Sequence, residues 1–373
     1  MSVSTKDFRS PGEALKYLLK EKDWTQDDLS YILSISLKHT NEIIKDKKPI
    51  SLDIAKSLAE VFELTALQWI QLGAKFQLEN NTENNDEVRL KADVYKYMPI
   101  NELIKKRWIK EGEDLDKELR RFWNIPKGKE LDLSFLETDR ARLEYRTSSA
   151  FEDTFNQNNA LIWHQMALNF SKTIKAKPFQ KKALAELVTD VHSYTNKEGG
   201  IKNFLNELSQ VGVKFVFLTH LSKTYLDGAA FLSPEGPVVA LTGRYDRVDN
   251  FWFTLAHELS HITLHLTNRE EKEAIFIDDT TKKSTSVKEI EANENAEKML
   301  LQPDILEHFE NDTNYITEEK VIEFSDEKNI HPSIVVGLLA HNELVSYSTL
   351  HRFKESVRDQ IPEKYKADSW NLL

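Results

Sequence analysis

The chain has 373 residues, 40% of them apolar and 30% charged, with only 11 Gly and 10 Pro, which excludes disordered, collagen-like and low-complexity classes and leaves room for two or three globular domains. Cysteine is absent, so disulfide frameworks, Cys-based zinc ribbons and thiol catalysis are excluded, any metal must be held by His and carboxylates, and a reducing compartment is expected. The formal net charge of -11 argues against a protein coated in nucleic acid, yet basic and acidic residues balance within residues 1–75, so the acidic excess lies wholly downstream.

The opening MSVSTKDFRS contains no apolar signal-like run, and the longest uncharged apolar stretch, Ile334 to Ala340, is too short to span a bilayer. A cytoplasmic protein without membrane contact is the expectation. The first 79 residues place apolar side chains at helical spacing in Ala14, Leu15, Leu18 and Leu19, in Leu29, Ile32 and Leu33, and in Ile54, Leu58 and Val61. Thr25 before Gln26-Asp27-Asp28 and Ser51 before Leu52-Asp53 are helix starts, with acids in the first turn where the dipole favours them.

Asn80 to Glu87 is polar, Asn-rich and without an apolar residue, which reads as a linker. Three regions follow from this: an all-α domain over 1–79, a linker and helical middle region over 80–197, and an α+β domain over 198–373 with a helical C-terminal part. In the middle region Leu103, Trp108, Leu119 and Phe122 and the runs Phe151–Phe170 and Phe179–Val191 are amphipathic. His164 and His192 have no partner at ligand spacing and read as structural histidines. Val211 to Phe217 and Val238 to Leu241 read as strands, Trp252 to Leu266 as a nearly uncharged helix, Asn268 to Lys288 as a polar surface loop, and Ile290 to Leu301 as a helix stopped by Pro303.

The chemistry concentrates in His257-Glu258-Leu259-Ser260-His261. Residues i and i+4 of a helix are about 40° apart around its axis and one turn along it, so both imidazoles can reach one ion. Glu258 is then placed to move a proton as a general base. Two His and a Glu in so apolar a helix are costly without a partner, and a metal supplies one. A catalytic zinc site takes a third protein ligand. His265 lies eight residues from His257, and the three histidines together subtend about 80°, a poor fit for one ion. The other candidates are Glu289, Glu291, Glu294 and Glu297 on the next helix, and spacing alone does not choose among them.

HELSH followed by Glu291-Ala292-Asn293, Ala296 and Leu300-Leu301 before Pro303 resembles the ImmA/IrrE metallopeptidase family. The resemblance extends to Val211-Gly212-Val213, Gly228-Ala229, Arg244-Tyr245 and HPSIVVGLLAH, and implies a zincin-like α+β domain with a small sheet. It implies one Zn2+ per chain on His257, His261 and Glu291, Glu258 as general base, and a protein substrate that is a specific repressor or antitoxin. Ser260 stands where the family has Gly, and Asn295 and Glu297 are more polar than the family's residues.

The N-terminal segments SPGE, WTQDDLSYILSIS and KKPIS, with QWIQLGAKFQL closing the last helix, are similar to HigA-like antitoxins among Xre-type helix-turn-helix repressors. Helix Gln26–Leu33, the link Ser34–Ser36 and helix Leu37–Lys45 have the length of that motif. Ser36, Lys38, His39, Asn41 and Lys45 would contact bases and phosphates of a double-stranded operator, with Lys47 and Lys48 on the backbone. Ser34 and Asp46 occupy positions usually held by Gly, and Thr40 one usually apolar. The combined expectation is a mostly α chain that joins a zinc endopeptidase to a DNA-binding regulator, with homodimerisation and a cognate toxin as further implications. The alternative is a non-proteolytic repressor or antitoxin whose C-terminal domain senses a signal or binds a partner.

Overall fold

The computed structural model describes residues 8–80, 86–112, 114–139, 143–145, 154–224, 226–266, 275–278, 286–310, 315–346, 353 and 355–367. The chain forms two compact units, Met1–Val88 and Arg89–Leu373. The division falls after the polar Asn80–Glu87 stretch rather than before it; residues 81–85 of that stretch lie outside the described residues.

The first unit is built from α1 (Pro11–Glu21), α2 (Gln26–Leu33), α3 (Leu37–Ile44), α4 (Leu52–Val61) and α5 (Ala66–Asn80). Side-chain caps set the starts: Ser10 accepts from the Glu13 amide, Thr25 and Asp28 form a reciprocal capping box, and Ser36 and Ser51 accept from His39 and Ile54. Leu15, Leu29, Ile43, Ile44, Leu58 and Trp69 are buried in one apolar core. The turn between α2 and α3 passes through Ser34 at φ 53°, and α3 is followed by Asp46 at φ 57°. Both are left-handed positions that glycine fills most readily. Asp46 offsets the cost with its side chain, accepting from Ser10 Oγ at 2.6 Å and from the Gly12 amide at 2.7 Å. Gly12 allows this approach, because a Cβ there would lie 2.3 Å from the Ile44 carbonyl oxygen.

The second unit contains α6 (Asp86–Tyr97), within which the division falls, α7 (Ile100–Lys105), α8 (Leu115–Trp123), α9 (Phe135–Asp139), β1 (Leu143–Tyr145), α10 (Thr154–Ser171), α11 (Lys181–Thr189), α12 (Val191–Thr195), α13 (Gly200–Gln210), β2 (Lys214–Phe217), β3 (Gly228–Ser233), β4 (Gly236–Leu241), α14 (Val248–His261), β5 (Ile275–Asp278), α15 (Val287–Met299), α16 (Gln302–Glu310), α17 (Glu318–Lys328) and α18 (Pro332–His341). One sheet runs in the order β1-β5-β3-β4-β2. Strand β3 is antiparallel to β4 and β5, while β2 pairs parallel with β4 and β1 parallel with β5. Three strands lie outside the sequence expectation. β3 carries small residues rather than a β-branched run, β1 lies in a region read as helical, and β5 lies within Asn268–Lys288, read as a loop. Of that stretch, residues 268–274 and 279–285 are outside the described residues.

Strands β2, β3 and β4 are buried between helices on both faces, which explains why β2 and β4 read as apolar runs. Cross-strand rows show which side is which. Phe215 meets Phe251 of α14, whereas Lys214 reaches the Ser171 carbonyl at the end of α10, and Phe231, in register with Val238 opposite Lys214, meets His164 of α10. Leu103, Trp108, Phe122 and Trp163 belong to the same apolar core as Val239 and Leu255. The middle helices and the sheet therefore share one interior. Among the described residues, no helix is long and apolar enough to cross a membrane.

Candidate metal centre

Helix α14 is buried between the sheet and helices α15 and α18, which is why it carries so little charge. His257, Glu258 and His261 are all fully buried. The helical spacing brings His257 Nε2 within 3.0 Å of His261 Nε2. The third member of the group comes from α15. Glu289, 2% exposed, places Oε2 3.4 Å from His257 Nε2 and Oε1 3.3 Å from His261 Nε2. Among the described residues this is the group of ligand atoms that could hold a metal, all lying within 4.8 Å of one another.

Two donors on a tetrahedral zinc shell of ~2.1 Å radius are roughly 3.4 Å apart. The separations here are of that size. Lone pairs of two imidazoles and a carboxylate, converging in a dry interior, are costly without a cation at their focus. The residues therefore fit a divalent metal, and the His2Glu donor set suits zinc.

The structure puts Glu289, not Glu291, beside the imidazoles. On α15 the buried positions are Glu289, Ala292, Ala296 and Met299, spaced i, i+3, i+7 and i+10 as one helix face requires. The alanines leave room for α15 to lie close to α14. Glu291 is out of phase with that face, half exposed, and bonded instead to His265, whose Nε2 lies 3.0 Å from Glu291 Oε2. Glu294 is exposed. Glu297 is partly buried, and burial together with neighbouring Glu294 raises its carboxyl pKa.

Glu258 lies against the start of β3. A Cβ on Gly228 would stand 2.5 Å from Glu258 Oε1 and 3.0 Å from Thr254 Cγ2, so glycine is what allows the carboxylate to settle over the strand. Next to it, Asp227 is buried, with Arg244 Nη1 3.7 Å from its Oδ1 and the Arg244 guanidinium over the Tyr245 ring. In the sequence Gly228 stands out only within the Gly228-Ala229 pair of the family resemblance, not as a site residue, because β3 has no strand signal of its own.

His164 and His192 do not join the metal group. His164 packs edge-on to Phe231 at 4.4 Å between ring centroids, and burial pushes its pKa down to about 4. His192 lies 3.8 Å from Asp190.

In the first unit, Lys38, Asn41 and Lys45 fall on one side of α3, opposite the buried Thr40, Ile43 and Ile44, with half-buried Glu42 on the same side. Lys38, Lys45, Lys47 and Lys48 are exposed, while His39 and Asn41 are partly buried. Ser36 is the α3 cap, its hydroxyl accepting from the His39 amide at 3.2 Å.

A peptidase family model, described as IrrE N-terminal-like domain, matches residues 209–335, about a third of the chain. The match runs from the end of α13 into the start of α18 and includes His257, Glu258, His261 and Glu289. No curated protein and no solved structure matched the chain.

Proposed function

We propose that the second unit is a zinc-dependent endopeptidase and that the first couples it to transcriptional regulation, the substrate being a specific repressor or antitoxin protein. The observation that carries the peptidase reading is the convergence of His257, His261 and Glu289 with Glu258 on the same buried helix. The peptidase family match over the same residues supports it.

His257 Nε2, His261 Nε2 and a Glu289 oxygen would hold the metal. When bound, zinc supplies Lewis acidity that polarises a scissile carbonyl and makes water a stronger acid. The Glu258 carboxylate accepts the proton from the attacking water and later returns it to the departing amine nitrogen. The buried helix keeps Glu258 in place, and Gly228 leaves its carboxylate room beside the strand.

The regulatory half of the reading draws support from α2 and α3, joined by the short Ser34–Ser36 turn, and from the exposed lysines along and after α3. Lys38, Asn41 and Lys45 would face the major groove, with Lys47 and Lys48 on phosphates.

The test compares new protein N-termini in cells producing the wild-type chain or Glu258→Gln. The reading expects a repressor or antitoxin cut in the first and intact in the second, with both proteins holding zinc equally. Identical sets of N-termini would refute it.

A further inference from the structure

From His261, one of the three ligands, a chain of two further side chains runs outward from the centre. His261 presents Nε2 to Glu289 and His257, and its other nitrogen, Nδ1, lies 3.1 Å from His265 Nδ1. His265 Nε2 in turn lies 3.0 Å from Glu291 Oε2. His265 is 5% exposed and sits in a π-helical turn, Ile262–Leu266, that continues α14. Such single π turns recur at functional sites. Glu291 is at the solvent end of the chain, its side chain 53% exposed.

We infer that Glu291 and His265 are positioning residues that fix the tautomer and ring orientation of His261 so that its Nε2 lone pair faces the metal. The inference rests on the metal site proposed above. An ionised carboxylate only accepts, so His265 carries its proton on Nε2 and donates it to Glu291. With the His265 ring neutral, its Nδ1 is then an acceptor, and the proton between the two rings belongs to His261 Nδ1. That leaves His261 Nε2 unprotonated, as ligation demands. The opposite assignment sets the His265 Nε2 lone pair against the Glu291 carboxylate and turns an N–H of His261 toward the metal position. Carboxylate partners of this type orient metal-binding imidazoles, and losing them costs about 10- to 100-fold in metal affinity.

This arrangement also gives a physical use to two residues that the ligand set leaves over. Glu291 acts through His265 rather than on the ion, and His265 acts through His261.

The experiment measures zinc affinity by chelator competition for the full chain and for Glu291→Ala, Glu291→Gln, His265→Phe and Glu289→Ala, and reads the His261 tautomer by nitrogen NMR with and without zinc. Glu291 is half exposed, so its variants keep the fold. Glu291→Ala is expected to bind zinc about 10- to 100-fold more weakly, and Glu291→Gln, which still accepts from His265, to recover part of the loss. Wild-type His261 is expected to carry its proton on Nδ1 in both states. Unchanged zinc affinity in Glu291→Ala overturns the inference, as does a proton on His261 Nε2, or loss of zinc from Glu291→Ala with retention in Glu289→Ala. If the wild type takes up no zinc, the proposed function fails, and the His261 tautomer in the metal-free chain alone decides the inference.

Discussion

Asn295 Nδ2 on α15 donates to Ser260 Oγ on α14 at 3.0 Å, and the same hydroxyl donates to the Ala256 carbonyl at 2.8 Å. The two helices it joins carry all three ligand atoms of the metal centre. Ser260 and Asn295 are also two of the three positions, with Glu297, at which this chain departs from the residues usual in the family it resembles. These two departures are partners: the hydroxyl that replaces a glycine provides the acceptor that the added amide needs.

That pairing is expected to be non-additive. Ser260→Ala should destabilise the second unit by about 1–2 kcal/mol, because the Asn295 amide loses its buried acceptor. Combining it with Asn295→Leu should cost less than the sum of the single changes, by at least ~0.5 kcal/mol. Urea unfolding of the four proteins measures the coupling, and strict additivity contradicts it.

Gly228→Ala should separate metal binding from catalysis. The new methyl would lie 2.5 Å from Glu258 Oε1 and 2.9 Å from Leu241 Cδ2, so the carboxylate and the tip of Leu241 must both give way, the carboxylate by more. The expected result is normal zinc content with cleavage reduced at least about tenfold, since a general base contributes roughly 10²- to 10⁴-fold. Full activity in Gly228→Ala would show that the carboxylate does not work from this position.

Asp46 is predicted to stabilise the first unit by clamping the start of α1 to the end of α3. Asp46→Ala removes two short hydrogen bonds and keeps a left-handed backbone, a loss on the order of 2 kcal/mol. Asp46→Gly should cost less, because glycine suits φ 57°. Hydrogen exchange of the α1 amides in the full chain reports the order, and faster exchange in the glycine variant than in the alanine variant would oppose it.

His164 is predicted to set part of the acid limb of stability. Its pKa is pushed from 6.5 to about 4 by burial, so between those values the unfolded chain binds a proton that the folded chain excludes. Stability is therefore lost as pH falls from about 6.5 toward 4. His164→Phe should lose less stability than the wild type between pH 7 and pH 5 in urea titrations. Parallel losses in the two proteins would rule the contribution out.

Much of the centre was legible in the sequence for physical reasons. His257 and His261 are one helical turn apart, and that spacing alone sets their separation. The third ligand was not legible, because the choice among Glu289, Glu291, Glu294 and Glu297 depends on which face of α15 turns inward. The buried alanines answer it: Glu289 is in phase with Ala292 and Ala296, and Glu291 is not. The caps at Thr25 and Ser51 follow local rules that need no tertiary contact, while those at Ser10 and Ser36 emerge in the structure. By contrast β3, with Gly228, Ala229 and Ala230 in its first half, has little strand propensity of its own and is set by pairing on both sides. Ser34 and Asp46 departed from glycine positions that the backbone still adopts at positive φ.

The central claim is that Glu289 completes the metal centre with His257 and His261. Elemental analysis of purified wild type, Glu289→Ala and Glu291→Ala, each supplied with excess zinc at neutral pH, tests it most directly. The account predicts about one zinc per chain in the wild type and in Glu291→Ala, and essentially none in Glu289→Ala. Zinc retained by Glu289→Ala and lost from Glu291→Ala would contradict it.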